Sequence, residues 1–166
     1  SPFMYYGEEI GMKGTRGAAN TDANRRLAML WGDGDTVKDP VGSDFPADKQ
    51  VNGTVAEQLS DENSLYHYYA KVIAVRNRHP EIARGDYEAV SSKYSDLGGF
   101  EITYEDSTIL LLHNTSAEEI ELELSSLTGV KGEYKRVTDS IGLGTGASLK
   151  GSTLKIGART SVILEK

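Results

Sequence analysis

Apolar positions along this chain change their period twice. The first run, Phe3-Met4-Tyr5-Tyr6, is unbroken and rich in aromatics, the pattern of a short strand buried on both faces. A run this short would also suit the opening of a buried helix. Gly7 then frees the chain to turn sharply. Gly7 to Ser60 shows little periodicity and is rich in Gly, Asp, Asn, Lys and Pro. A stretch of roughly 50 residues is far too long for a bare linker in a compact domain, so it is expected to be a loop with a function. Periodicity returns at Asp61. Leu65, Tyr68, Tyr69, Val72, Ile73 and Arg76 recur at helical spacing, with Lys71, Asn77 and Arg78 opposite. Asp61 is placed to cap this helix and Glu62 to favour its dipole. Pro80 stops it, because the residue before a proline is pushed out of helical geometry.

From Gly85 the period drops to two. Phe100, Ile102 and Tyr104 alternate with polar residues, Thr108 to His113 is a denser apolar run, and Ile120, Leu122 and Leu124 alternate with glutamates. Leu154-Ile156 and Val162-Leu164 close the pattern. Asp106-Ser107, Ser116-Ala117, Thr128-Gly129 and the Gly142 to Gly151 stretch supply turn chemistry between the runs. The expectation is seven or eight short antiparallel strands forming a β-sandwich, with Ile102, Leu110, Leu112, Leu122, Leu154 and Val162 inward. The Gly142-x-Gly144-x-Gly146 pattern opens no βα unit, so a flexible hairpin loop is favoured over a phosphate cradle.

Charge narrows the partners. A net charge of −7 argues against nucleic acid, which calls for a basic patch, and no apolar stretch is long enough to span a membrane. There is no cysteine, hence no disulfide frame and no thiolate zinc site. His67, His79 and His113 lie far apart without ligand spacing and read as ordinary surface or packed histidines.

Three motifs, in order, carry a resemblance. Ser1-Pro2-Phe3-Met4-Tyr5-Tyr6-Gly7-Glu8-Glu9-Ile10-Gly11-Met12 resembles the eighth strand and following loop of the α-amylase family of glycoside hydrolases (family 13), which are (β/α)8 barrels. Asp22-Ala23-Asn24-Arg25-Arg26 through Met29-Leu30-Trp31 resembles that family's Asp-x-x-x-Arg segment and its Pro-Met-x-Trp continuation, with Ala28 where the proline is usual. Asp61 to Tyr69, closing on Arg76-Asn77-Arg78-His79-Pro80, resembles the eighth barrel helix.

The resemblance implies a fold of class α/β plus all-β: the last strand, loop and helix of a (β/α)8 TIM barrel over residues 1–84, followed by an antiparallel β-sandwich over 85–166. A whole barrel takes about 250 residues, so the chain reads as a C-terminal fragment. It implies action on α-glucosidic bonds of starch, maltooligosaccharides or related α-glucans. Endo-hydrolysis, exo-action and glycosyl transfer share these motifs.

Retaining hydrolysis needs two carboxyl groups about 5 Å apart. The family takes them from the fourth and fifth barrel strands, with a third carboxylate after the seventh, all upstream of Ser1. No catalytic residue is therefore expected in this chain, which alone should be inactive. Glu8 and Glu9 are adjacent and point to opposite sides of an extended chain, which suits fixing the loop better than catalysis. Asp22 and Arg26 match the family pair that binds sugar hydroxyls on the non-reducing side, the alternative being a loop-bracing salt bridge.

Trp31 could stack on a sugar or anchor the loop, and anchoring is favoured; Tyr66, Tyr68 and Tyr69 read as packing residues. No cofactor is expected in these residues, though the resemblance allows calcium in the full-length protein. The weak lean on location is extracellular or cell-surface over cytoplasmic. The competing reading is a non-catalytic carbohydrate-binding or structural β-sandwich. Such a domain would need exposed aromatics, for which Tyr87, Tyr94, Phe100 and Tyr134 are the candidates.

Overall fold

A computed structural model describes residues 2–16, 22–142 and 144–166. Ser1 at the start of the first motif, residues 17–21 within the long stretch expected to be loop, and Leu143 inside the glycine-rich pattern lie outside the described residues. By contacts the chain divides into two compact units, Ser1–Ile73 and Ala74–Lys166.

In the first unit the described residues of the long segment are held largely by side chains bonding to backbone. Gly7 takes the left-handed conformation the turn requires (φ 89°), and a 3-10 turn follows over Glu8–Ile10. Glu9 accepts the Gly7 N–H at 2.8 Å, the loop-fixing role expected of it. Buried Gln58 donates to the carbonyls of Ile10 (2.8 Å) and Asn52 (2.9 Å) and accepts the Tyr66 N–H at 3.0 Å. It closes three stretches of chain on one amide.

Gln58 sits in α1 (Val55–Ser60), a helix within the stretch expected to be loop. Thr54 and Glu57 form a reciprocal capping box that offsets the cost of so short a helix. A second correction concerns Phe3–Tyr6, which is no strand: none of the described residues pairs with it, and Phe3 is 90% exposed. An apolar run makes a strand only where a neighbour supplies the hydrogen-bonding ladder.

Helix α2 (Leu65–Arg78) ends before Pro80 as expected, but its cap differs. Asp61 closes a turn ahead of it by accepting the Asn63 N–H, while Ser64 accepts the His67 N–H at 3.3 Å as the first helical turn begins. Pro80 opens a further short helix, α3 (Pro80–Arg84), where its missing N–H costs nothing. The contact division falls inside α2, and Val75 and Ile82 pack with Ile102, Ile109 and Ile163 of the following strands.

Eight antiparallel strands follow: β1 (Asp86–Ser91), β2 (Leu97–Tyr104), β3 (Ser107–Asn114), β4 (Ile120–Glu123), β5 (Arg136–Gly142), β6 (Ala147–Lys150), β7 (Thr153–Ile156) and β8 (Thr160–Glu165). They form a five-stranded sheet ordered β1-β2-β3-β8-β5 and a three-stranded sheet ordered β4-β7-β6. This is the expected sandwich. Leu110 faces Leu164 and Leu112 faces Val162 in one sheet, Leu122 faces Leu154 in the other, and these side chains share one core with Tyr134.

Ile102 is the exception among the expected core residues. It is fully buried, but on the outer face of the larger sheet with Ile109 and Ile163, under Val75 and Ile82. No helix among the described residues is long and apolar enough to cross a membrane.

Candidate functional site

The Asp22–Arg26 segment is a 3-10 turn over Ala23–Arg25, so its two ends project together. Arg26 Nη2 lies 2.9 Å from Asp22 Oδ2, with the side chains 63% and 55% exposed. What holds the turn lies underneath. Ala23, Asn24 and Leu27 are buried. The Asn24 amide accepts the Asp44 N–H at 2.9 Å and donates to Asp44 Oδ1 and, at 3.3 Å, to Thr15 Oγ1.

Tyr6 donates its hydroxyl to the Leu27 carbonyl at 2.9 Å, and burial, together with Tyr5 beside it, raises the Tyr6 phenol above its ordinary pKa. Asp39 accepts the Ala28 N–H at 2.8 Å. A hydrogen-bonded base thus carries two exposed, opposite charges.

A cleft of about 230 Å³ is lined by Tyr5, Tyr6, Glu8, Met12, Asn24 and Arg25 among others, though by neither Asp22 nor Arg26. The first and second motifs therefore meet at one surface. An exposed ion pair such as Asp22–Arg26 contributes little to stability in water. Trp31 is fixed by its main chain, its N–H donating to Asp35 Oδ2 at 2.9 Å and its carbonyl accepting the Ala56 N–H at 3.1 Å. Trp31 as a whole is 55% exposed. Tyr66 and Tyr69 line an apolar hollow with Met4, Tyr5, Tyr6 and Ile73, and Tyr68 is half-buried.

The histidines have local partners. His67 Nδ1 lies 3.0 Å from Ser64 Oγ, and His113 Nδ1 lies 2.7 Å from Ser161 Oγ, with burial lowering the His113 pKa. His79 Nε2 lies 2.7 Å from Asp139, which also accepts from Arg78. Burial works against the Asp139 charge, but the hydrogen bonds and charges of Arg78 and His79 outweigh it and hold the carboxyl below its ordinary pKa. A β-bulge between Val137 and Asp139 breaks the β5–β8 register there. Sequence reasoning missed this cluster, as it missed Asn24 and Gln58. Among the described residues no three His, Asp or Glu side chains converge to hold a metal ion.

No protein-family profile matches the chain. Alpha-amylase SusG of Bacteroides thetaiotaomicron is 31% identical over 99% of this chain and 24% of its own length. Oligo-1,6-glucosidase of Bacillus cereus is 24% identical over 75% of the chain and 28% of its own. The solved structure of Eubacterium rectale Amy13B superposes with a TM-score of 0.80 at 30% identity, covering 98% of this chain and 31% of that one. The chain spans about a quarter of the length of the curated relatives it matches.

Proposed function

From the chain's place in the α-amylase family of glycoside hydrolases, to which it belongs, we propose that it serves in an enzyme cleaving α-glucosidic bonds of starch, maltooligosaccharides or related α-glucans. The observation that carries the reading is a likeness in both sequence and fold that runs the length of the chain, to SusG and to Amy13B. Asp22 and Arg26 bind glucan hydroxyls away from the bond being cut, presented on the turn that Asn24 fixes from below. The carboxylates that cut the bond come from chain outside these 166 residues.

The test is turnover. Full-length protein carrying this chain is expected to hydrolyse starch or maltooligosaccharides, and the 166-residue chain alone is expected to show none. An inactive full-length protein would overturn the reading. So would turnover by the pure chain.

A further inference from the structure

We propose that Asn52-Gly53 is a site of spontaneous covalent modification, deamidation to aspartate and isoaspartate, and that the change releases the loop after the first motif. An asparagine followed by glycine is chemically exposed in a way other pairs are not, because glycine has no side chain to keep its backbone nitrogen away from the asparagine amide carbon. The pair occurs once in the sequence, and Asn52 is exposed. Among the described residues the Gly53 N–H has no hydrogen-bond partner. The next two are taken, Thr54 N–H by Glu57 Oε2 at 2.7 Å and Val55 N–H by the Leu30 carbonyl at 2.8 Å. The attacking nitrogen therefore has no bond to break first.

Each member of the pair has a structural job. Gly53 has φ 80°, and a Cβ there would lie 2.8 Å from Glu57 Oε2, the atom that closes the α1 capping box. Asn52 Nδ2 donates to the Gly11 carbonyl at 2.7 Å, and the Asn52 carbonyl accepts from Gln58 at 2.9 Å. The turn needs the glycine and the loop needs the amide, so the reactive pair sits at a joint between Gly11, Gln58 and α1.

The reaction balances with water alone. The Gly53 nitrogen loses its proton to hydroxide and bonds to Asn52 Cγ; the Cγ–Nδ2 bond breaks and the amide nitrogen leaves as ammonia, giving a cyclic imide. Water then opens the imide. Attack at Cγ breaks its bond to the Gly53 nitrogen and gives aspartate, whereas attack at the main-chain carbonyl carbon gives isoaspartate, in which the chain runs on through Cγ.

Either product removes the donor that holds Gly11, since a carboxylate at neutral pH only accepts. Isoaspartate also lengthens the main chain by one carbon and turns the carbonyl that Gln58 holds into a free carboxylate. Gln58 donates to the Ile10 carbonyl as well, so both ties to the Glu8–Ile10 turn are disturbed together.

Peptide mapping of full-length protein, stored in mildly alkaline buffer, tests the site. Conversion at Asn52, read as the mass gain of amide-to-acid exchange and as isoaspartate by enzymatic methylation, is expected to outrun that at Asn24, Asn63, Asn77 and Asn114 by about tenfold. It should quicken as pH rises. Asn52→Gln keeps an amide but must close a larger ring, and should abolish it. Asn52→Asp supplies one product directly, and hydrogen exchange in residues 8–12 should then quicken about fivefold to tenfold, the scale of one lost hydrogen bond, with β3 and β8 unchanged. Conversion at Asn52 no faster than at the other asparagines overturns the site. Unchanged exchange in Asn52→Asp overturns the release of the loop.

Discussion

Truncating Leu154, Leu122 and Glu121 to alanine, one at a time, should give three well-separated losses of stability. Leu154 is fully buried on β7, the central strand of the three-stranded sheet, whereas Leu122 is 6% exposed on β4 at its edge. Removing a leucine's extra carbons forfeits about 0.8 kcal/mol each, about 2.4 kcal/mol in all, before any cavity is counted. An edge strand relaxes into the space, so Leu122→Ala should stay near that figure, about 2–3 kcal/mol. A central strand held on both sides relaxes less, and Leu154→Ala should cost about 4 kcal/mol.

Glu121 points to solvent, pairs with Lys155 at 2.6 Å with both side chains about half exposed, and should matter little. Urea denaturation reads the series. At a slope of about 2 kcal/mol per molar, the midpoint should fall by about 2 M for Leu154→Ala and about 1.2 M for Leu122→Ala. The chain's single tryptophan lies in the Ser1–Ile73 unit, so far-UV circular dichroism should follow the sandwich while fluorescence follows the other unit. A loss from Glu121→Ala equal to that from Leu122→Ala would mean the β4 register is off by one and the inner face wrongly assigned.

Two pH-dependent outcomes follow from buried partners. Burial, followed by the hydrogen bond to Glu101 and its charge, raises the Tyr134 phenol above its ordinary pKa. Its stability is fully present below about pH 10 and is lost as pH rises beyond, where the unfolded phenol ionises and the folded one does not; Tyr134→Phe should flatten that alkaline limb in thermal melts. Asp139 has the opposite sign. Its depressed folded pKa gives stability that is present above its ordinary value of about 3.9 and lost as pH falls through the folded one, so Asp139→Asn should flatten the acid limb while lowering stability at neutral pH.

The sandwich was legible because period-two alternation is a local property, and β4 and β7 show it plainly. Alternation says which residues share a face, not which face is the interior. The larger sheet is covered on both sides, so Ile102 landed on the outer layer with an equally apolar environment. Phe3–Tyr6 shows the complementary case, a run with strand composition whose ladder depends on neighbours far away in sequence.

Helix α1 could have been found. Thr54 and Glu57 stand at capping-box spacing, but six residues are too few for a periodicity to register. Asn24, Gln58 and Glu101 had no such signal, because a polar residue looks the same in sequence whether it caps buried backbone or faces water. The Asp22–Arg26 pair was visible as an i, i+4 spacing, and the buried Asn24 between them is what turns that spacing into a fixed geometry.

The central claim is that this turn faces glucan in a working hydrolase, and kinetics of Arg26→Ala in the full-length protein test it most directly. A charged hydrogen bond to substrate removed at a remote subsite should cost about 1.5–3 kcal/mol in transition-state binding, or roughly tenfold to a hundredfold in kcat/KM. That loss should appear with maltoheptaose and be smaller with a maltose-sized substrate, as expected of a contact made away from the bond being cut. Equal losses on both substrates would contradict the account and leave Arg26 as a brace for its loop.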